Sequence, residues 1–250
     1  MNRIIHTFAE FLAANWPTPA GILLGLPAGV AWAGGCLAVA GWLKRRHGWR
    51  TGYTRKLFHF ATFGSVAVLH EMGGTPAVCL FGAAVSLVVF CAVALGAGNL
   101  LYEAMAREKD APHRTYFILT PFAATLIGGV ASNILFGPAA LAGYLVTGLG
   151  DAIGEPVGTR FGRHIYRVPC PWGLPAQRSL EGSAAVFGVS FFALSVLALT
   201  HGSDPTTIAL VKAGAIAVTA TAVEAVSPHG WDNATLQLVP TGLTAFCGCG

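Results

Sequence analysis

Charge is what this sequence has least of. Of its 250 residues only 10% are Asp, Glu, Lys or Arg, against about 25% in a typical soluble domain. Less than half the usual charge is left for a water-facing surface, which excludes an ordinary globular protein. Internal repeats, soluble linkers and low-complexity tracts are also missing, so residues 1–250 read as a single membrane-embedded domain. A cleavable signal peptide is not expected, because Asn2 to Pro17 is amphipathic and the first long apolar run has spanning length without a clear cleavage site. What the sequence does have is 54% hydrophobic residues and 32 glycines, with a mean hydropathy of +0.62. They fall in long uncharged runs of the kind a bilayer requires. The expected fold is all-α, a polytopic integral membrane bundle of seven to eight transmembrane helices, some of them short or broken.

The runs are Ala20 to Leu43, Leu57 to Leu69, Pro76 to Leu101, Tyr116 to Phe136, Pro138 to Gly150, Gly182 to Thr200, Thr206 to Val226 and Ala234 to the terminus. The second and the last define a span least well. Two runs are short and rich in glycine (Gly143, Gly148, Gly150), which suggests helices that stop part-way or are shielded by neighbours. Of 15 Lys and Arg, 13 lie in three segments: Lys44 to Lys56, Arg107 to Arg114 and Arg160 to Arg178. Alternating through eight spans puts all three on one side, while the Glu71 loop, the Gly137-Pro138 turn and His201 to Asp204 carry no Lys or Arg on the other. The positive-inside rule then makes the basic side cytoplasmic and the N-terminus external; the lack of a transit-like leader and of extra domains, rather than the charge, favours a bacterial inner membrane. The net charge of +4 therefore reflects loop asymmetry, and nucleic acid is not an expected partner. Cys36, Cys79 and Cys91 sit in apolar runs and Cys247 and Cys249 close the chain, so buried reduced thiols are expected rather than a disulfide framework.

Ionisable groups at membrane depth are costly and default to functional hypotheses. This topology converges them on the basic side: Arg55, Lys56 and His59; Arg114; Asp151 and Glu155 at the end of the fifth span; Arg160, Arg163, His164, Arg178 and Glu181 in the loop after it; and Glu224, His229, Asp232 and Asn233 between the last two spans. Carboxylates, an amide and several cations at one interface are what a metal–nucleotide site requires, since Mg²⁺ takes oxygen ligands and phosphates and cations stabilise a transferring phosphoryl group. Asp151 and Glu155 share one face if the helix continues, and Gly150 and Gly154 let a phosphate approach the backbone. The segment is not a Walker motif, because the Gly-Lys-Ser/Thr ending is missing. Bland readings stand beside these: Arg55 and Lys56 as a headgroup anchor, Asp151 and Glu155 neutralised by Arg160 and Arg163, Ser179 as a helix cap with Gly182 and Ser183 in the first turn, and Asp232-Asn233 as a cap for the last span. Glu224 falls in the last turn of a helix, where a negative charge opposes the dipole unless a cation or metal compensates.

Four segments taken in order, Thr54-Arg55-Lys56-Leu-Phe-His59, Gly150-Asp151-Ala with Gly154-Glu155-Pro-Val-Gly-Thr-Arg-Phe-Gly162, Arg178-Ser-Leu-Glu-Gly-Ser183, and Glu224-x-x-Ser-Pro with Asp232-Asn233, resemble the CTP-dependent lipid-alcohol kinases. That superfamily includes dolichol kinase, phytol and farnesol kinases, a CTP-using diacylglycerol kinase and bacterial members labelled phosphatidate cytidylyltransferase-like. The resemblance implies transfer of the terminal phosphate of CTP, as co-substrate, to the hydroxyl of a prenol or similar lipid alcohol, with Mg²⁺ or a similar divalent cation. On this reading Asp151 and Glu155 hold the metal, and Asp232 is a further ligand or the base that orients the hydroxyl. Arg55, Lys56, Arg160 and Arg178 bind phosphates, Gly150, Gly154, Ser179, Glu181, Gly182, Ser183 and Asn233 shape the nucleotide site, and His59 and Glu224 handle protons or support from behind. Arg178 departs from the lysine that relatives often carry before Ser-Leu/Ile-Glu-Gly-Ser, and Arg is not a neutral replacement. Two other classes remain: a cytidylyltransferase acting on phosphatidate or a prenyl phosphate, which releases pyrophosphate, and a non-enzymatic lipid transporter or scaffold.

Overall fold

The structure, a computed structural model, describes residues 2–173 and 176–248. Cys249 and the end of the last expected span lie outside the described residues, as does the side chain of Arg3. The fold is a helical bundle. Helix α1 (Asn2–Ala14) precedes α2 (Pro19–His47), which is started by the Thr18 side chain accepting from the Gly21 N–H at 3.1 Å and by Pro19 in the first turn. Lys44, Arg45, Arg46 and His47 occupy the last turn of α2, where cations complement the dipole, and left-handed Gly48 ends it. Then come α3 (Thr51–Leu95), α4 (Leu100–Met105) and α5 (Tyr116–Phe136). Next, α6 (Ala140–Leu145) passes through a π-helical turn at Val146–Asp151 into α7 (Ala152–Phe161). Strands β1 (Ile165–Val168) and β2 (Ala176–Ser179) lead to α8 (Leu180–His201), α9 (Thr206–Val226) and α10 (Asp232–Cys247).

Among the described residues, five stretches are long and apolar enough to cross a membrane: Pro19–His47, Thr51–Leu95, Tyr116–Phe161, Leu180–His201 and Thr206–Val226. Two of these, of 45 and 46 residues, double back. The Thr51 hydroxyl, at the start of α3, donates to Glu108 at 3.1 Å, only thirteen residues beyond the helix's other end. A straight helix of that length would separate those ends by roughly 65 Å. The reversal is at Gly74, whose φ of +62° only glycine adopts readily, two residues before Pro76, which has no N–H to continue the ladder. Gly137 (φ +54°), followed by Pro138, reverses the second stretch in the same way. The result is seven apolar passes.

The outer surface of these passes is apolar: Leu23 is 74% exposed, Phe192 70% and Val211 67%. Contiguous apolar exposure on that scale belongs against lipid rather than water. Two interior clusters fill the bundle. One packs α2, α3 and α4 around Leu37, Phe63, Phe81 and Val88, and the other packs α6, α8, α9 and α10 around Val146, Leu194, Ile216 and Leu236.

Three expectations are corrected. The second pass is not the short run from Leu57, since the helix begins at Thr51 and carries Arg55, Lys56 and His59 within it. The fifth does not stop part-way, and Asp151 and Glu155 do not end it. The helix runs from Ala140 to Phe161, with the π turn keeping its backbone bonded and glycines letting neighbours close on it. At Gly148 an added Cβ would lie 2.4 Å from Phe63 Cβ. The last helix starts at Asp232 rather than Ala234 and has 16 residues, short of the ~20 a full crossing needs. It is interior, packed on α5, α6 and α9 with Gln237, Thr241 and Thr244 buried. The loop after the fifth pass contains an antiparallel hairpin pairing Tyr166 with Arg178, which the all-helical expectation did not include. All five described cysteines are free, but none is fully buried: Cys36, Cys79, Cys170 and Cys247 are partly buried and Cys91 is exposed.

Candidate functional site

The three basic segments meet at one end of the bundle. Lys44 of α2 binds Glu108 at 2.6 Å and Glu103 at 3.4 Å, and Arg114 binds Glu103 at 2.7 Å. The Arg114 hydrogen bond, above all, holds the Glu103 carboxyl down at about 2. These pairs form a belt rather than a site, and Arg114 lines no part of the cavity described next. The opposite end carries the Glu71–His201 pair at 3.1 Å.

Inside the belt is a cavity of about 250 Å³ walled by the start of α3, the turn 107–110, the α6–α7 helix, the β hairpin, the start of α8 and the α9–α10 connection. Five cations (Arg55, Lys56, Arg107, Lys109, Arg178) and five carboxylates (Asp110, Asp151, Glu155, Glu224, Asp232) line it. Lys56 donates to Asp151 at 2.6 Å, both buried. Arg107 binds Asp110 at 2.8 Å and Glu155 at 3.3 Å. Arg178, on β2, reaches Glu224 at 2.9 Å through Nε and Asp232 at 2.9 Å through Nη2. Arg178 is thus the cation that compensates Glu224 against its helix dipole. Buried ions survive only when paired in this way.

Of the buried polar atoms without a partner among the described residues, three belong to this cavity's lining: Nη1 of Arg55, Nη1 of Arg178 and Oε2 of Glu224. An unmade bond at a buried polar group is expensive, and here the three belong to residues lining one cavity. Two unused guanidinium donors form an anion-ready surface. Lys109, in the cavity wall, is pushed below the usual ammonium range by burial and then by Arg107. His229 accepts from the Arg107 guanidinium through Nε2, which places its own proton on Nδ1. Burial, followed by the Arg107 and Arg55 charges, pushes it down to about 2, so it is neutral. Burial opposes the Arg107 charge too, but Glu155 and Asp110 outweigh that and raise its pKa.

The expected residues separate into two groups. Arg55, Lys56, Asp151, Gly154, Glu155, Arg178, Ser179, Gly182, Ser183, Glu224 and Asp232 all line the cavity. Ser179 does so as the cap of α8, accepting from the Gly182 N–H at 3.1 Å, and Ser183 bonds Tyr166 at 2.7 Å. Gly154 and Gly182 let α7 and α8 cross almost backbone to backbone, since a Cβ on Gly182 would lie 2.8 Å from the Gly154 carbonyl oxygen. The other group lies elsewhere. Arg160 is exposed, its guanidinium over the Phe161 ring. Glu181 accepts from His164 and from the Arg163 N–H. Gly150 packs against Ser190. Asn233 donates to Pro121 O at 3.2 Å and Thr125 Oγ1 at 2.7 Å, tying α10 to α5. His59 donates through Nε2 to the Thr147 carbonyl at 2.9 Å, with Asp151 at 3.5 Å, and lines a neighbouring smaller chamber. Sequence reading left Arg107, Lys109 and Asp110 out of the site and placed His229 among the converging groups without giving it a role. The available signal was the charge-dense run Arg107-Glu-Lys-Asp110 in a chain otherwise poor in charge.

Among the described residues no three His, Cys, Asp or Glu side chains are grouped to hold a metal, and Asp151, Glu155 and Asp232 are each paired with a cation. An all-protein metal cage does not fit. A magnesium ion carried on phosphates does, because it needs one or two carboxylates and takes its other oxygens from phosphate and water.

Over 123 residues the chain is 37% identical to a phytol kinase of Synechocystis sp.. The match covers 49% of this chain and 49% of that protein, so about half the length of the curated relative is spanned. No family model and no solved structure matches.

Proposed function

We propose that this protein is a lipid-alcohol kinase that moves the terminal phosphate of CTP to the hydroxyl of a prenol such as phytol or farnesol, at the cytoplasmic face of a bacterial inner membrane. The observation that carries the reading is the pair of unpartnered guanidinium nitrogens, Nη1 of Arg55 and Nη1 of Arg178, over a carboxylate-lined cavity at one end of an apolar bundle. Similarity to a phytol kinase over half the chain supports the choice of a prenol.

In this reading phosphate oxygens take the free N–H groups of Arg55 and Arg178, and Lys56 shifts its ammonium from Asp151 onto phosphate as the nucleotide enters. Asp151 and Glu155, one turn apart and lining the same cavity, would hold Mg²⁺. When bound, the ion neutralises charge on the phosphates. The alcohol oxygen attacks the terminal phosphorus, its proton passes to the Asp232 carboxylate, and the bond to the bridging oxygen breaks to release CDP. Arg178, bonded to Asp232, orients that carboxylate. His59 is a positioning residue, because its Nε2 proton is committed to the Thr147 carbonyl beside Asp151.

Detergent-purified protein with Mg²⁺, CTP labelled on the terminal phosphate, and phytol, farnesol or dolichol tests this directly. Labelled lipid phosphate with CDP is expected. Pyrophosphate released with phosphatidate or a prenyl phosphate would make the protein a cytidylyltransferase, and no turnover of either kind in folded protein would overturn an enzymatic reading.

A further inference from the structure

Behind the polar cavity the bundle is hollow. A chamber of about 90 Å³ lies against it, walled by Phe58, Phe63, Val89, Phe117 and Phe122 among others, and Arg55 belongs to both spaces. A second chamber of about 270 Å³ continues from the first, sharing Phe63, Val85, Phe122 and Thr125 with it. The second chamber is closed by Phe8, Phe11 and Leu12 of α1. Along this line the lining changes from ten charged side chains to none. Helix α1 packs chiefly on α5, and its Ile5 and Phe8 remain 60% and 44% exposed. It is the most loosely held apolar element of the wall.

We infer that the two chambers seat the tail of a single-chain isoprenoid alcohol, with its hydroxyl at Arg55 and α1 as the side wall through which the tail passes from the bilayer. This rests on the lipid-alcohol kinase reading and narrows its substrate. At roughly 30 Å³ per water-sized group, the first chamber is a neck about three groups long and the second holds about nine. Together they hold about twelve such groups, fewer than the fifteen carbons of a farnesyl chain, so the last carbons of farnesol reach α1 and a longer prenol extends past it into lipid. The neck, ringed by phenyl groups, has no room for two acyl chains side by side, so diacylglycerol is excluded. The path also brings the hydroxyl to the right chemistry: Asn233 lines the neck while its neighbour Asp232 lines the polar cavity. The larger apolar groove between α2 and α3, about 980 Å³, shares no residue with the polar cavity and offers a hydroxyl no route to it.

A farnesol analogue carrying a diazirine at its tail end, irradiated with the full chain in detergent without nucleotide, tests the seat independently of turnover. Label is expected on Phe8 to Leu12 or on the 122–130 segment of α5, competed by farnesol. Label confined to the groove around Trp32 and Phe60, or not competed, overturns it. Val85→Trp blocks the neck, and the expected result is at least a tenfold rise in KM for farnesol with the five-carbon alcohol prenol changed less than twofold. Equal changes for both alcohols, or diacylglycerol turned over within tenfold of farnesol by the wild type, also overturn it. If no alcohol is phosphorylated yet label falls at α1 and α5, the kinase reading fails while the seat stands.

Discussion

Lys56 and Asp151 lie 2.6 Å apart in a buried site, and the consequences of separating them differ for folding and for chemistry. Removing one partner leaves a buried charge uncompensated, which typically costs about 3–5 kcal/mol. Lys56→Met should therefore lower the melting temperature in detergent markedly. Adding Asp151→Asn should restore much of it, because the stranded charge is gone. On the kinase reading phosphotransfer should stay at least a hundredfold down in both, since each lacks the cation proposed for phosphate and the double variant also lacks a carboxylate proposed for Mg²⁺. Melting curves and labelled-CTP assays on the two variants check this, and recovery of activity in the double variant would show that neither group touches the nucleotide. His229 gives a pH signature. A free imidazole titrates near 6.5, and burial followed by the Arg107 and Arg55 charges holds His229 down at about 2. Between those values the unfolded chain binds a proton that the folded chain refuses. Stability is whole above pH 6.5 and declines as the pH drops toward 2. Glu103, also held at about 2 and ordinarily near 4.5, acts in the same direction but only below pH 4.5. His229→Gln keeps an acceptor for Arg107, so its melting temperature should fall less than the wild type's between about pH 7 and 5, measured in one detergent at fixed salt.

At the scale of elements, the helix from Ala140 to Phe161 is what brings Asp151 and Glu155 into the cavity. Its π turn ends at Asp151, and such turns re-aim the side chains that follow. Its glycines are not equivalent. A Cβ on Gly148 would sit 2.4 Å from Phe63 Cβ, an atom fixed to the α3 backbone, whereas one on Gly150 would sit 2.3 Å from the Ser190 hydroxyl, which can rotate. Gly148→Ala should destabilise by about 1–3 kcal/mol, as overpacking does. Gly150→Ala should cost less than about 1 kcal/mol, the clash being offset by alanine's better helix propensity. Thermal melts of both variants in the same detergent decide the order. The hairpin β1–β2 has a comparable positioning role: it carries Arg178 across to Glu224 and Asp232, residues from a connection more than forty positions later.

For the whole molecule, the gathering of the basic segments at one end, away from the end that carries the Glu71–His201 pair, gives a sidedness that can be measured. Arg46→Cys should be modified by an impermeant maleimide only in inside-out vesicles. Met72→Cys, 82% exposed beside the Glu71 turn, should be modified only from the other side. The reverse pattern would place the cavity outside the cell and remove its access to CTP. Background from Cys91 is common to both variants and is subtracted with the parent protein.

Sequence alone determined the class of fold, because a chain with so few charges has no way to cover itself in water, and its apolar run lengths match a bilayer. It also determined that the basic segments share an end, since alternation of crossings requires it. Eleven of the positions singled out in the sequence line one cavity, and they stood out there as charged, serine or glycine residues beside spans. What only the tertiary structure decided is pairing. Periodicity cannot say that Arg178 answers Glu224 and Asp232, that Arg107 and His229 enter the site from a loop and a turn, or that Arg160 faces away. It does not reveal that α10 is a short interior helix or that the hollow behind Arg55 ends at α1. The pairings arise from contacts between residues 46 to 122 positions apart, and a long-range contact leaves no trace in local composition.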